Sequence, residues 1–384
     1  MSNEDSPFAD LPAGLVEEVL RQTTKVGDLL LGGFQHVKKN REVLRNALLN
    51  KGHVISEGSL GYPPLPTTCA ADGSYAIERL LTADLVAAAA VCVEGLTPPS
   101  EKRHWDQPHH ISFIVPEVHH ADTATILRAV MLGNELLLSC RAPHEVVMID
   151  GTFTLPVIYF NQALANAPAA PELNSSREFL DNCGGYLEQY LEILVGQRSD
   201  KQFIGLPKYS TRREFGREMD WPQGYDDRGM LTLLLQPGEL TKPRMLEQPS
   251  QDWHINVSGK VSEKYPDAKV LVADIVAALK RVHVFYYKPH AWLPALRVEA
   301  AQSVASNTHR LATVVQGLKQ QCSTAAMLEP YPIYLADRMV KSLARAVPAF
   351  RQVTTQSICE RYEGDIGEVF FAMHGYRSES GRSG

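Results

Sequence analysis

Little in the sequence would staple the chain together or anchor it. The six cysteines, Cys69, Cys92, Cys140, Cys183, Cys322 and Cys359, are widely scattered and form no Cys-x-x-Cys pair. That excludes a zinc site built on paired thiolates and a disulfide framework, and it fits a reducing cytoplasm. No apolar run approaches the ~20 residues of a membrane span. The longest, Leu85–Val93, is alanine-rich and strand-like. The opening Met-Ser-Asn-Glu-Asp is acidic and polar, unlike a signal or transit peptide. A cytoplasmic protein with no membrane partner is therefore expected. Internal repeats are absent, and so is any surplus of positive charge, since the formal net charge is −6. An extended surface for coating nucleic acid is disfavoured, although an enzyme can gather its basic groups in one channel and let metal ions cancel its acids.

What is present is an ordinary globular composition, 44% hydrophobic and 21% charged over 384 residues. That is enough for one large domain with insertions or for two domains. Residues 1–57 read as a helical segment. Leu15, Val16, Val19, Leu20, Val26 and Leu29–Leu31 recur at helical spacing, and Val43, Leu44, Leu48 and Leu49 continue it. The basic patch between them, 36–41, reads as a solvated helix face or as a contact for DNA or a partner. Gly58–Pro66 is a Gly/Pro-rich linker into a main domain over 58–376, with insertions expected around 161–200 and 209–270. The Ser/Gly/Arg-rich tail 377–384 is expected to be disordered.

The main domain opens with a strand over 67–75 running into a turn at Asp72-Gly73-Ser74. Leu85–Val93 and Ile111–Val115 follow as further strands. Asp122 is placed as the N-cap of a helix reaching Cys140. Val146–Ile149 is continuously apolar, as a strand buried on both faces should be, and ends in Asp150-Gly151. The order is β-β-β-α-β. Farther on, 161–174 reads as a surface loop, Glu178–Gly196 as a helix and Gln202–Leu206 as a strand. Arg212–Pro249 reads as irregular, Val282–Lys288 with Ala295–Ala300 as a hairpin, and Ala301–Gln321 and Ile333–Ala346 as helices.

Acids fall at informative points of this order. Hydrolysis of a phosphodiester by two metals needs carboxylates that hold hard divalent ions ~3.5–4 Å apart. The carboxyl ends of adjacent strands in an open sheet are the natural place for them. Asp72 and Asp150 are both read as strand-end residues, each followed by a glycine that lets the chain turn. Glu135 shares a helix face with Arg128, Met131 and Leu138 and should point towards the sheet. Glu145 competes with it but lies at the other end of the fourth strand. Each acid alone reads as well as a turn residue or a solvated one. Together they follow the order expected of ribonuclease H-like nucleases.

Five segments in register carry a resemblance to the NurA family of nucleases, which act with the hexameric translocase HerA. They are Ala71-Asp72-Gly73-Ser74-Tyr75, the helix carrying Glu135 followed by Val147-Met148-Ile149-Asp150-Gly151-Thr152, and Ile204-Gly205-Leu206-Pro207-Lys208-Tyr209-Ser210. Phe285-Tyr286-Tyr287-Lys288-Pro289 continuing to Leu296-Arg297-Val298-Glu299, and Tyr331-Pro332-Ile333-Tyr334-Leu335-Ala336-Asp337, complete them. The resemblance spans roughly Thr67 to Leu343.

It implies an α/β, ribonuclease H-like mixed sheet flanked by helices, a homodimer, and DNA cleavage dependent on Mn²⁺ or Mg²⁺, with two ions expected. Single-strand endonuclease and 5′–3′ exonuclease activity, and docking onto a HerA-type hexameric ATPase in DNA end processing or defence against phage, follow from it too. Asp72, Glu135 and Asp150 would correspond to metal-binding acids of the family. One departure concerns the histidine that members commonly carry on the helix after the Tyr-Pro segment. None lies between Tyr331 and Ala346. Asp337 is a substitute oxygen donor, with Met339 as the other aligned position. Asp337 could instead pair with Arg338 or Lys341 or favour the helix N-terminus. Loss of the histidine also motivates an alternative, a non-catalytic adaptor that keeps the nuclease fold and regulates the motor. Lys208 reads as a phosphate contact or a surface lysine. Tyr287 and Lys288, near Trp292, suit a single-strand DNA groove or, equally, a packed hairpin edge. Arg297 and Glu299 form a structural pair on one strand face. The adjacent pairs His109-His110 and His119-His120 would face opposite ways and are set aside as ligands.

Overall fold

A computed structural model describes residues 11–382. The chain divides into two compact units at His53/Val54. In the first, helix α1 runs unbroken over Ala13–Asn50, and Lys38, Lys39 and Arg41 of the basic patch are exposed. The first ten residues of the expected helical segment lie outside the described residues. The boundary falls before residue 57 because strand β1 (Val54–Ser56) pairs with a strand of the second unit, and the Glu57 amide donates to the Gly238 carbonyl at 2.8 Å.

The second unit continues with β2 (Thr68–Leu80), β3 (Asp84–Glu94), β4 (His109–Glu117), α2 (Thr123–Arg141) and β5 (Val146–Ile149), the β-β-β-α-β order read from the sequence. It then runs through α3 (Leu155–Asn166), α4 (Asn174–Val195), β6 (Gln202–Gly205), α5 (Asp227–Leu234), β7 (Glu239–Thr241), β8 (Arg244–Met245), α6 (Gly259–Lys264) and α7 (Ala268–Leu279). Strands β9 (His283–Lys288) and β10 (Leu296–Ala300) form the late hairpin. Helices α8 (Gln302–Ala305), α9 (Thr308–Gln321), α10 (Tyr331–Cys359) and α11 (Ile366–Ala372) and strand β11 (Gly375–Arg382) follow.

The strands make one mixed sheet in the order β1-β7-β9-β10-β6-β5-β2-β3-β4, with β8 on β9 and β11 on β2. Among the described residues only β2–β5 and β5–β6 are parallel pairs. That explains the unbroken Val-Val-Met-Ile of β5, a strand flanked on both edges and fully buried. Helix α2 is long and apolar enough to cross a bilayer, but 78% of its apolar stretch is buried inside the fold. It is a core helix.

Arg212–Pro249, expected to be irregular, holds α5, β7 and β8, and three further expectations change. Strand β2 does not turn at Asp72-Gly73, because β3 pairs with it continuously from Cys69↔Glu94 to Arg79↔Asp84. The strand that ends there is its other neighbour, β5, whose last pairing is Ile149↔Ala71. The 161–174 segment is partly helical, because Val157, Phe160, Ala163 and Leu164 of α3 are buried. The tail expected to be disordered lies as β11 through Arg382, pairing antiparallel with β2 over Ser74–Leu80; residues 383–384 lie outside the described residues.

Alternation along β2 decides what its side chains meet. Tyr75 faces α2, accepting a hydrogen bond from Arg128 at 2.6 Å. Ala76 and Leu80 pack in a core cluster with Val347 of α10, and Glu78 pairs with Arg351 of α10 at 3.1 Å. The two helices therefore cover opposite faces of the strand.

Helix α2 also meets α4 closely. A Cβ added at Gly133 would lie 2.4 Å from the Tyr186 ring, whereas one at Gly185 of α4 would meet nothing within 4 Å. Gly133→Leu should therefore lower stability by about 1–3 kcal/mol through overpacking. Gly185→Ala should be neutral or gain up to about 1 kcal/mol of helix propensity. Urea denaturation of both variants checks this, and equal midpoints would refute the packing.

Candidate active site

Asp72 is an even-numbered residue of β2 and so faces α10. Asp150 follows the last residue of β5, held by its own amide donating to Ala71 O at 3.1 Å. Gly151 after it has φ +139°, a conformation that favours glycine and lets the chain leave the sheet. Asp337 lies on the second turn of α10. One carboxylate oxygen from each of these three buried aspartates falls within 4.8 Å of the others. The sequence reading of Asp72 and Asp150 as neighbours and of Asp337 as the substitute donor thus describes one place in the fold.

A lysine stands among them. Lys208, just beyond β6, has its carbonyl bound by Arg228 of α5. The Arg228 Nε also donates to Ala295 O at 2.9 Å. The Lys208 Nζ reaches Asp150 Oδ2 at 2.7 Å, Glu329 Oε2 at 3.1 Å and Asp337 Oδ1 at 3.4 Å. Asp337 Oδ2 also pairs with Lys341 one turn along α10, so the expected Asp337–Lys341 pairing and membership of the acid group hold together. Glu329 was missed from the sequence. Its only signal there is an acid just upstream of the Tyr-Pro segment.

Glu135 points to the sheet as expected but arrives on the other face. A Cβ at Gly73 would meet Met131 at 2.8 Å and Glu135 Oε2 at 3.3 Å. The glycine therefore makes room for α2 rather than a turn. Glu135 is buried beside the strand position next to Asp72 but does not join the three aspartates. Glu145 lies at the other end of β5, accepting from the Thr67 amide at 3.0 Å.

Two DNA-contact assignments are corrected. Tyr287 is fully buried with its hydroxyl donating to Glu57, and Lys288 is 8% exposed with its Nζ donating to Thr232 O. Both belong to the packed hairpin edge, and nearby Trp292 stacks on His290. Arg297 and Glu299 do form a structural pair, at 3.3 Å. Arg297 also holds Glu214 at 2.7 Å. Glu299 Oε2 accepts from Thr152 Oγ1 at 2.7 Å and from the Phe153 amide at 2.9 Å. This buried network fixes the turn that follows Asp150. The paired histidines do not join the three aspartates: His119 pairs instead with Asp84 at 2.7 Å, and His109 stacks on Trp105.

A cavity of about 300 Å³ opens between the loops after β5 and β6, lined by Thr152, Thr154, Tyr209, Ser210, Arg212 and Glu299 among others. A larger cavity of about 570 Å³, between α4 and α7, contains none of the site residues.

Burial pushes the Asp150 carboxyl up to about 6, with Lys208 pulling the other way and Glu329 and Asp337 adding to the rise. Burial opposes the charge on Lys208, but Asp150, Glu329 and Asp337 outweigh it and hold the ammonium above its ordinary range. A carboxyl raised in the folded state contributes stability that is full below the ordinary carboxylate range and lost as pH rises through about 6. In the metal-free chain, carbon-13 shifts should show Asp150 titrating near pH 6, and Lys208→Met should move that titration upward. An unmoved titration would dissolve the pair.

No family model and no curated protein matches the chain. Solved structures do. The NurA nuclease from Sulfolobus solfataricus matches with a TM-score of 0.58 at 12% identity, over 92% of this chain and 99% of that one. Another NurA structure matches at 0.50 and 12% identity, over 86% and 96% of the two chains. A NurA structure with manganese matches at 0.50 and 10% identity, over 89% and 99%. Agreement across almost the whole of both chains, at identities this low, is a statement about architecture: the chain has a NurA-like fold, a central mixed sheet flanked by helices.

Proposed function

We propose that this chain is a metal-dependent nuclease hydrolysing phosphodiester bonds in DNA. The observation that carries the reading is the meeting of Asp72, Asp150 and Asp337, buried and within 4.8 Å through one oxygen each, on a NurA-like fold. The donor set is all oxygen, with no thiolate or imidazole, and suits a hard divalent ion such as Mn²⁺ or Mg²⁺. A NurA structure with manganese gives the same direction. Asp72 and Asp150 would hold the ion, with Asp337 beside them and Glu135 across the strand. Bound there, it would supply Lewis acidity towards water and the phosphate.

The chain's own groups do the rest. Lys208, 26% exposed at its side chain, offers positive charge to a phosphate entering beside Asp150. The adjoining cavity presents Thr152, Thr154 and Ser210 hydroxyls and Arg212. Tyr209, 89% exposed, offers a ring for a base to stack on. The finer reading, single-strand endonuclease and 5′–3′ exonuclease activity in a homodimer docked on a HerA-type hexameric translocase, in end processing or phage defence, rests on the family resemblance.

Incubation with labelled single- and double-stranded DNA and Mn²⁺ should show cleavage. Asp72→Ala and Asp150→Ala should each lower the rate by about 100-fold or more, since several kcal/mol of charge stabilisation are at stake and each ~1.4 kcal/mol is tenfold. Wild-type rates in either variant would sink the assignment. Absence of both cleavage and carboxylate-dependent Mn²⁺ binding would favour the adaptor. Co-purification with a HerA-type hexamer, and the mass of the free chain in solution, test the partner and the homodimer.

A further inference from the structure

We propose that Lys208 takes the place of a second divalent ion, so that this site binds one ion per chain rather than the pair the family resemblance implies. The inference rests on the metal-dependent reading above and concerns how that site is filled.

Two-ion sites hold their cations ~3.5–4 Å apart on shared carboxylates. Here a cation already sits on such a carboxylate: the Lys208 ammonium lies 2.7 Å from Asp150 and 3.4 Å from Asp337. Asp337, on the sequence reading a substitute for the histidine that family members carry, is committed on both oxygens. Its Oδ1 faces Lys208 and its Oδ2 pairs with Lys341. A second ion drawing on Asp337 would have to displace an ammonium from it.

Charge agrees with geometry. On the α10 face, Asp72, Asp150, Asp337 and Glu329 carry four negative charges, and Lys208 and Lys341 return two. One divalent ion cancels the remainder, while two would leave the pocket positive before any substrate arrived. Glu329 has a defined part in this arrangement. At 3.1 Å from Nζ it is a further partner of the ammonium beside the triad, making it a positioning residue for Lys208. A lysine is a compact point charge on a flexible stem. It can remain beside Asp150 while a phosphate approaches, as a second ion would.

The test is metal stoichiometry of the full chain, stripped of metal and titrated with MnCl₂ by calorimetry and by electron paramagnetic resonance. The wild-type chain should bind one Mn²⁺, with the hyperfine pattern of an isolated ion. Lys208→Met should admit a second ion and show the broadened signal of an exchange-coupled pair, and Lys208→Arg should stay at one. Two coupled ions in the wild-type chain, or a single ion in Lys208→Met, would overturn the inference while leaving the metal-dependent reading standing. The wild-type measurement can overturn the inference without any variant. Absence of Mn²⁺ binding that Asp150→Asn abolishes would overturn that reading and this inference with it.

Discussion

Burying several like charges at one point is the constraint around which this fold is organised. Three aspartates, each no more than 5% exposed, converge from a central strand, a strand end and a late helix. Without compensation such a group would repel itself or take up protons. Lys208 and Lys341 supply the compensation from within the chain. The lysine that steadies the fold and the acids that could hold a metal are parts of one balance. Its partition among lysine, proton and metal ion sets the state of the site.

Pleat and strand length put those charges together. Residue parity on β2 sends Asp72 to the α10 face and leaves Gly73 to receive Met131 and Glu135 from α2. Strand β5 stops beside Ala71, so its pairing with β2 ends just before Asp72, and among the described residues β11 pairs with β2 from Ser74 onward. Brief β5, closed by a glycine that tolerates positive φ, delivers Asp150 to that point. The Glu214–Arg297–Glu299 network then clamps the turn behind it.

Much of this was legible in the sequence. The apolar run before Asp150-Gly151 announces a strand buried on both edges, and the β-β-β-α-β order follows from periodicity. What the pattern could not give is sidedness. Asp72-Gly73 reads as a turn because the dipeptide favours one, and only long-range pairing with β3 keeps the strand going. Glu135 was correctly aimed at the sheet, but which face it reaches depends on parity relative to Asp72, and that is fixed by register. Tyr287 and Lys288 look like a nucleic-acid groove in isolation. Their burial comes from Glu57 and Thr232, far away in sequence. Glu329 carries no local signature, because its part is defined by Lys208.

The separation of the site's pieces along the chain has a consequence for its assembly. Asp72 and Asp150 emerge during synthesis well before Lys208, and the β10 strand that clamps their turn and the α10 helix bearing Asp337 come later still. Until α10 docks, the acidic pocket lacks one wall and one of its lysines, so contacts distant in sequence must close before the pocket can be dry. A nascent or truncated chain would thus present a partly solvated cluster of carboxylates rather than a shaped site. Competence to hold an ion would mark the completion of folding.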